Sequence, residues 1–496
     1  MNDVASEIGR LKNPDRFFIG GAWVEPSGTK HFDVVAPATE EVFLRVAEAE
    51  QADINHAVAA ARAAFDTGPW PRMSHAERAG YLRAIGARLA ARATDVSTIW
   101  PNEMGILQSL AHAYAQAMPG VYDYYADLAE SFAFEERHHP AAGGEAGFLI
   151  REPVGVVAAI IPWNGPVILI AYKIAPALLA GCTVIIKASP EAPGIAYLMA
   201  EIAEAVGLPP GVLNVVTADR DVSETLVRHP GVDKISFTGS TAAGRRIASI
   251  CGERIARYTL ELGGKSAAVV LEDYDVGVAA AAIAGPACAL TGQICSSLTR
   301  VIVNRHRHDD MVDALSANFQ KVRVGDPFDP TSDMGPVAMR RQRDRIEMLI
   351  AKGRAEGATL ATGGRRPAHL NKGFYIEPTV FGHVDNKSTL AQEEIFGPVL
   401  SVIPAENDSH AIELANDTIY GLNNSVFTNH ADHAYRVARQ LRSGTVGHNV
   451  FRTDFSIAFG GFKQSGIGRE GGVEGLLPYL ESKTVILNGE PRHASK

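Results

Sequence analysis

Cys295 stands in GQICSS, a run of small and polar residues. Such a loop can expose a thiol and leave backbone N–H groups free, the setting a thiolate nucleophile needs. The plainer alternative is a buried small hydrophobe, which is what most isolated cysteines are. Glu261, in LELGGK, follows an apolar run and precedes two glycines, so it falls at a strand end where the backbone turns tightly. Its carboxylate is either a solvated surface group or a general base whose proton affinity an apolar wall raises. Asn164, in PWNGP after VVAAII, either shapes a turn or offers its amide to a developing oxyanion beside the Cys295 backbone N–H. Together the three would support covalent catalysis by a thiol, with an oxyanion donor and a base.

Three further features are ambiguous when read singly. The Gly-x-x-x-x-Gly of FTGSTAAG, Gly239 to Gly244, joins a strand to a helix with Ser240 as a candidate N-cap. A phosphate can sit at such a helix start, although this is not the GxGxxG fingerprint. Lys187 ends TVIIK, and Glu394 lies in QEEIFGPV. Most charges of this kind are solvated.

The elements that must position these residues follow from periodicity. Residues 52–66 and 75–97 are Ala-rich with spaced apolar positions, which predicts two helices. Gly147 to Ile161 alternates and then becomes continuously apolar, as a strand entering a core does. Strands at Thr183–Ile186, Val212–Val216 and Lys234–Phe237 alternate with helices at Ile195–Val206, up to about Arg228, and Thr241–Ile250. That alternation predicts a parallel sheet with helices on both faces. A second alternating series begins near Ser266 and includes AAVVL, VIVN, helices near 309–321 and 339–356, and LSVIP. The expectation is two α/β domains joined near Gly263–Gly264. The tail TVILN, 484–488, reads as a strand with no local hairpin partner. It must pair with a distant segment or with another subunit, and the latter is expected.

Composition narrows the partners. A net charge of −9 argues against nucleic acid and anionic membranes. The most apolar stretch, Val154 to Ile186, is interrupted by Asn164, Lys173 and prolines, so it falls short of a membrane span. The N-terminus MNDVASEIGRLKNPDR is polar and lacks the apolar core of a signal peptide. Four cysteines without CxxC spacing point to no metal site and suit a reducing cytoplasm.

Taken together the motifs resemble the aldehyde dehydrogenase superfamily, from about residue 15 to 488. The matching pieces are PWN (162–164), YKIAPALLAGCTVIIK (172–187), GLPPGVLNVV (207–216), VDKISFTGST (232–241), ELGGKS (261–266), GQICSS (292–297), GDPFDP (325–330), EEIFGPV (393–399) and FGGFKQSGIGRE (459–470). The resemblance implies two doubly wound α/β domains plus a small β oligomerisation element. A cofactor domain would take residues 1–131 and 152–262, a catalytic domain 263–470, and a bridging element 132–151 and 471–496. It implies a homodimer or homotetramer.

It also implies roles. Cys295 looks like the nucleophile that attacks an aldehyde, Asn164 like the oxyanion donor, and Glu261 like the base that hydrolyses the resulting thioester. Lys173 and Glu470 match a pair that helps relay the proton. Lys187 matches a ligand of the adenosine ribose and Glu394 of the nicotinamide ribose. Trp163, Gly239, Ser240, Leu262 and Phe396 match other cofactor-contacting positions. Gly165, Leu169, Tyr172, Ile294, Ser296 and Phe459 match the substrate tunnel, with Val167 and Ile168 beside them. The cofactor implied is NAD, with NADP as the alternative.

Four departures bear on specificity. Pro190 stands where the family often has a Glu, with Glu191 next to it, and TADRDVSE (217–224) replaces the usual glycines. Gly165 replaces a common Phe, and Ala458 a common Pro. A missing ring at Gly165 leaves room for a bulky, largely apolar aldehyde: terpenoid, aromatic or medium-chain. A semialdehyde whose far carboxylate meets Arg452 is the alternative. A CoA-acylating member would usually lack Glu261, and a non-enzymatic descendant would lose Cys295 or Asn164.

Overall fold

The computed structural model describes residues 9 and 11–491. One sheet runs, edge to edge, through Gly466–Ile467, Arg257–Glu261, Lys234–Thr238, Val156–Ile160, Thr183–Ala188, Leu213–Thr217, Phe17–Ile19 and Ala22–Val24. The strands from Arg257–Glu261 to Leu213–Thr217 are all parallel, and the flanking ones are antiparallel. VVAAI, TVIIKA, LNVVT and KISFT are buried at every position. Helices on both faces account for that. Pro166–Ala180 and Gly194–Ala205 cover one face. Gln51–Asp66, Arg220–Arg228 and Thr241–Arg254 cover the other.

The second sheet runs through Thr359–Thr362, Thr379–Gly382, Val399–Ala405, Leu298–Asn304, Ser266–Val270, Asn423–Phe427 and Thr445–His448. All its neighbours are parallel except the first pair. The chain is thus α/β, with two doubly wound sheets. After the second sheet it crosses back, and Gly466–Ile467 pairs with Leu260 and Glu261 at the edge of the first. Gly466 has φ 151, and a Cβ there would stand 2.2 Å from the Leu260 carbonyl oxygen. This return carries Glu470 to the strand that ends in Glu261.

Two expectations are corrected, and a third, left open between two partners, is answered for one strand edge. The helix expected over 75–97 is two, His75–Ala91 and Ala93–Met104. Arg92 between them leaves helical geometry (φ −105, ψ 16), and its guanidinium is drawn to Asp95 and Glu201. The strand expected from Gly147 to Ile161 is also two, Ala146–Pro153 and Val156–Ile160, and they lie in different sheets. Gly155 makes the break at φ 129, where a Cβ would overlap the Asp233 carboxylate at 1.8 Å. Third, the C-terminal strand Leu480–Leu487 pairs antiparallel with Ala146–Pro153 of its own chain, in a small sheet completed by Glu135–His138. Its outer edge carries no strand among the described residues.

Candidate active site

Strand ends of the first sheet deliver half of the site. Val156–Ile160 runs out into Trp163, Asn164 and Gly165. Thr183–Ala188 carries Lys187 near its end, Lys234–Thr238 leads into Gly239 and Ser240, and Arg257–Glu261 terminates on Glu261 itself. The carboxyl ends of parallel strands are where open α/β sheets collect ligands.

Cys295 comes from the other lobe, on the loop between Val276–Cys288 and Leu298–Asn304. That loop is held under strain. Leu290 and Thr291 have φ 49 and 55, a left-handed conformation costly for a β-branched residue. Hydrogen bonds over-determine it. The Thr291 hydroxyl donates to the carbonyls of Gly335 (3.0 Å) and Pro336 (3.1 Å). The Gln293 side chain donates to Leu290 O at 2.9 Å and accepts from Ala338 N at 3.0 Å. Asn164 Nδ2 donates to the Gln293 carbonyl at 3.1 Å, and Asn423 Nδ2 to the Ser296 carbonyl at 3.3 Å. Gly264 lies beneath, where a Cβ would be 2.3 Å from the Cys295 carbonyl oxygen. The amide of Asn164 keeps a second N–H for a ligand.

Cys295, Glu261 and Asn164 line one cavity of about 890 Å³. Cys182, Cys251 and Cys288 are buried elsewhere, and Cys295 alone of the four is partly exposed. Its deep position pushes the thiol well above its usual range, and the nearby charges of Glu261 and Glu394 add to that. The resting thiol keeps its proton at neutral pH and needs a base to take it. Burial likewise pushes the Glu261 carboxyl well up, with Glu470 adding repulsion. Apart from the Cys295 thiol, neither Glu261 oxygen has a hydrogen-bond partner among the described residues. A buried carboxylate without a donor is costly, and here it can accept a proton from thiol or water. Behind it, Lys173 and Glu470 form an ion pair whose side chains are 0% and 2% exposed.

A further wall is built from the same strand ends. Ser240 caps the helix Thr241–Arg254, accepting from Ala243 N at 3.3 Å. A Cβ on Gly244 would be 2.5 Å from Leu262 Cδ2, so the second glycine lets the helix close onto the sheet. The Leu262 side chain is buried against that helix and is absent from the cavity lining. Glu394 Oε1 accepts from Gly264 N at 3.3 Å, and burial pushes its carboxyl up to about 7. Trp163 and Phe396 meet edge to face at 5.3 Å, with Gly239 and Ser240 on the same wall. Lys187 faces a second cavity of about 1230 Å³ beside Ser189, Glu191 and Asp219. Burial pushes its ammonium down to about 8.

Gly165, Leu169, Tyr172, Ile294, Ser296 and Phe459 all line the first cavity, as does Ile168. Val167 does not: it is buried in the core behind the helix. Arg452 is exposed and absent from the lining, and the charge at that rim is Asp454. Residues outside the sequence motifs complete the wall, chiefly Tyr114, Met118, Phe451 and Phe455. Phe455 stacks between Tyr172 (4.4 Å) and Phe459 (4.2 Å). The spacing of these residues in the sequence carries no signal of the stack.

The profile of the aldehyde dehydrogenase family matches residues 23–485. The chain belongs to the aldehyde dehydrogenase family. It is 42% identical to a geranial dehydrogenase of Castellaniella defragrans over 95% of this chain and 98% of that one. It is 39% identical to a 3-succinoylsemialdehyde-pyridine dehydrogenase of a Pseudomonas species, over 96% and 99%. Among solved structures it resembles a Mycobacterium tuberculosis aldehyde dehydrogenase complexed with NAD+, with TM-score 0.93 and 42% identity over 97% and 99% of the two chains. As an aldehyde dehydrogenase the chain is an NAD(P)-dependent oxidoreductase. No helix among the described residues is long and apolar enough to cross a membrane.

Proposed function

We propose that this aldehyde dehydrogenase oxidises a bulky, largely apolar aldehyde to its carboxylic acid, using NAD and a thioester on Cys295. The observation that carries the reading is the meeting of Cys295, Glu261 and Asn164 in one cavity whose outer wall is aromatic. Glu261 takes the thiol proton, and the sulfur adds to the carbonyl carbon. The free N–H of Asn164 and the Cys295 backbone N–H stabilise the oxyanion. Bound NAD supplies the hydride acceptor for that adduct. Glu261 gives that proton up to solvent and, ionised again, takes a proton from the water that cleaves the thioester. Trp163, Lys187, Gly239, Ser240, Glu394 and Phe396 would hold the cofactor.

NAD is the expected cofactor because Glu191 supplies the charge that Pro190 lacks. Burial works against its ionisation, but hydrogen bonds from Arg341 and Ser189 outweigh it and hold the carboxyl below its usual range. It faces the cavity beside Lys187, where a 2′-phosphate would meet a negative charge. Wild-type kcat/KM is expected to be higher with NAD than with NADP, and Glu191→Ala to narrow the gap. A higher value with NADP in the wild type would overturn the assignment.

The substrate class rests on Gly165. A Cβ there meets nothing nearer than Leu169 Cδ1 at 3.8 Å, so a larger side chain would extend into the tunnel. Gly165→Phe is expected to block terpenoid or aromatic aldehydes while sparing propanal. Equal losses for both, or none, would refute the width argument. The semialdehyde alternative loses its anchor with Arg452 outside the lining. Asp454, held ionised by Ser456, would instead repel a far carboxylate.

No residue of Leu480–Leu487 is buried, and Ile486 is 54% exposed. A free strand edge of this kind invites pairing, and we assign it to a homodimer or homotetramer. Sedimentation at the monomer mass would exclude that. Four unpaired cysteines suit a reducing cytoplasm.

A further inference from the structure

We propose that Ser236 and Tyr479 are positioning residues for the base: their hydroxyls seat the Lys173 ammonium against Glu470, and through that pair set the pH at which Glu261 accepts a proton from water. The proposal rests on the reading of Glu261 as that base.

Four separate parts of the chain meet here. Lys173 comes from the helix Pro166–Ala180, and Ser236 from the middle of the strand Lys234–Thr238. Glu470 follows the return crossing, and Tyr479 ends the short helical turn Leu477–Tyr479. Lys173 Nζ is paired with Glu470 Oε1 and donates to Ser236 Oγ at 3.4 Å. The Tyr479 hydroxyl donates to the same oxygen at 3.0 Å. Ser236 is 0% exposed and Tyr479 3%. A hydroxyl in the centre of a covered parallel strand costs stability unless it is bonded. Ser236 finds its partners in the lysine and the tyrosine alone among the described residues.

The electrostatics make that seat consequential. Glu261 is faced by Glu470, Lys173, Glu394 and Cys295. Glu470 raises its proton affinity, and the Lys173 ammonium lowers it. Glu470 Oε2 lacks a partner among the described residues. The ammonium is thus the positive charge that opposes two crowded carboxylates. Lys234, Tyr125 and Cys182 complete the surroundings of the pair. Lys234 Nζ donates to Thr259 Oγ1 at 2.7 Å and lies 5.1 Å over the Tyr479 ring. The Tyr125 hydroxyl donates to Gly472 O at 3.1 Å. Tyr479→Phe keeps the ring under Lys234 and removes only the bond to Ser236.

In deacylation the water oxygen bonds to the thioester carbon while one water proton passes to Glu261. Collapse of the adduct breaks the C–S bond and frees the carboxylic acid and the Cys295 thiolate. With the hydroxyls gone, the ammonium is released from its seat and Glu261 loses part of the nearby positive charge. Its proton affinity rises, and a higher pH is needed before it is free to act.

The test is the pH dependence of acyl-enzyme hydrolysis on Cys295, followed by quench and mass spectrometry in the full-length protein. Tyr479→Phe and Ser236→Ala are each expected to move the acid limb upward by about half to one pH unit, the worth of one buried hydrogen bond. Below that limb hydrolysis slows about three- to tenfold, with KM little changed. In a Lys173→Met/Glu470→Gln background, which removes both charges together, the hydroxyl deletions should shift nothing further. A merely structural role would lower the melting temperature and leave the limb in place. An unmoved limb in the folded variants, or a shift that persists in the charge-free background, overturns the proposal. The two single variants are independent, so either decides if the other does not fold. Glu261→Gln separates the two levels. If it hydrolyses the acyl-enzyme normally, the base assignment fails and the proposal with it. If it is inert while Tyr479→Phe leaves the limb unmoved, the proposal alone fails.

Discussion

Cys295→Ala is expected to abolish NADH production while nucleotide binding survives. The oxidation needs a sulfur that adds to the aldehyde and later leaves, and no other thiol can take its place. Cys182 lies in the core beneath Tyr479, donating to its carbonyl at 3.5 Å. Cys251 is on the buried face of the helix Thr241–Arg254, and Cys288 closes the helix Val276–Cys288. Burial pushes their thiols up, to about 11 for Cys182 and about 12 for Cys288. Their alanine variants should therefore keep turning over. The residues proposed to hold the nucleotide, Lys187, Gly239, Ser240 and Glu394, are untouched, so NADH fluorescence should still report binding to Cys295→Ala. Asn164→Ala is a graded control. Loss of one oxyanion donor typically lowers kcat by about 10²–10³, so that variant should be slow and not dead. NADH production by Cys295→Ala would sink the covalent mechanism. A change in Asn164→Ala confined to KM would reduce Asn164 to holding the Gln293 carbonyl.

The parallel sheets were legible because both faces are covered, which forces near-continuous apolar runs such as VVAAI and TVIIKA. The site residues nearest the strand ends were legible for a related reason: a motif is a strand end plus its turn. What failed depends on contacts distant in sequence. The break at Gly155 is imposed by Asp233, whose carboxylate also accepts from Val156 N at 2.7 Å. Nothing within the segment 147–161 shows it. TVILN is visibly a strand, but its partner, Ala146–Pro153, lies far away along the chain. Arg452 and Asp454 are two residues apart on one loop, and only the fold shows which of them reaches the rim. Ser236 and Tyr479 carry no signal at all until the fold brings Lys173 and Tyr479 to the one Ser236 hydroxyl.

Glu261→Gln should separate the two halves of the reaction. Glutamine has nearly the shape of glutamate and cannot take the proton. Apart from the Cys295 thiol beside it, no donor among the described residues bonds a Glu261 oxygen, and the fold should tolerate the change. A general base contributes about 10²–10⁴ in rate, and steady turnover is expected to fall by that amount. The thioester should collect, visible by mass spectrometry as an acyl adduct on Cys295. The pH dependence follows from the direction of the shift. Burial and Glu470 raise the carboxyl of Glu261, and only the ionised form is a base. Wild-type activity should therefore fall on the acid side at a pH well above the usual carboxylate range. The residual rate of the glutamine variant should lack that limb. The size of the first-turnover burst reports on the thiol. Its proton is held tightly by burial and by the charges of Glu261 and Glu394, so removing one of those charges eases its ionisation while removing the base that would take the proton. A burst without steady turnover would confine Glu261 to hydrolysis. Loss of the burst as well would give it both steps. Undiminished steady turnover would take it out of the mechanism.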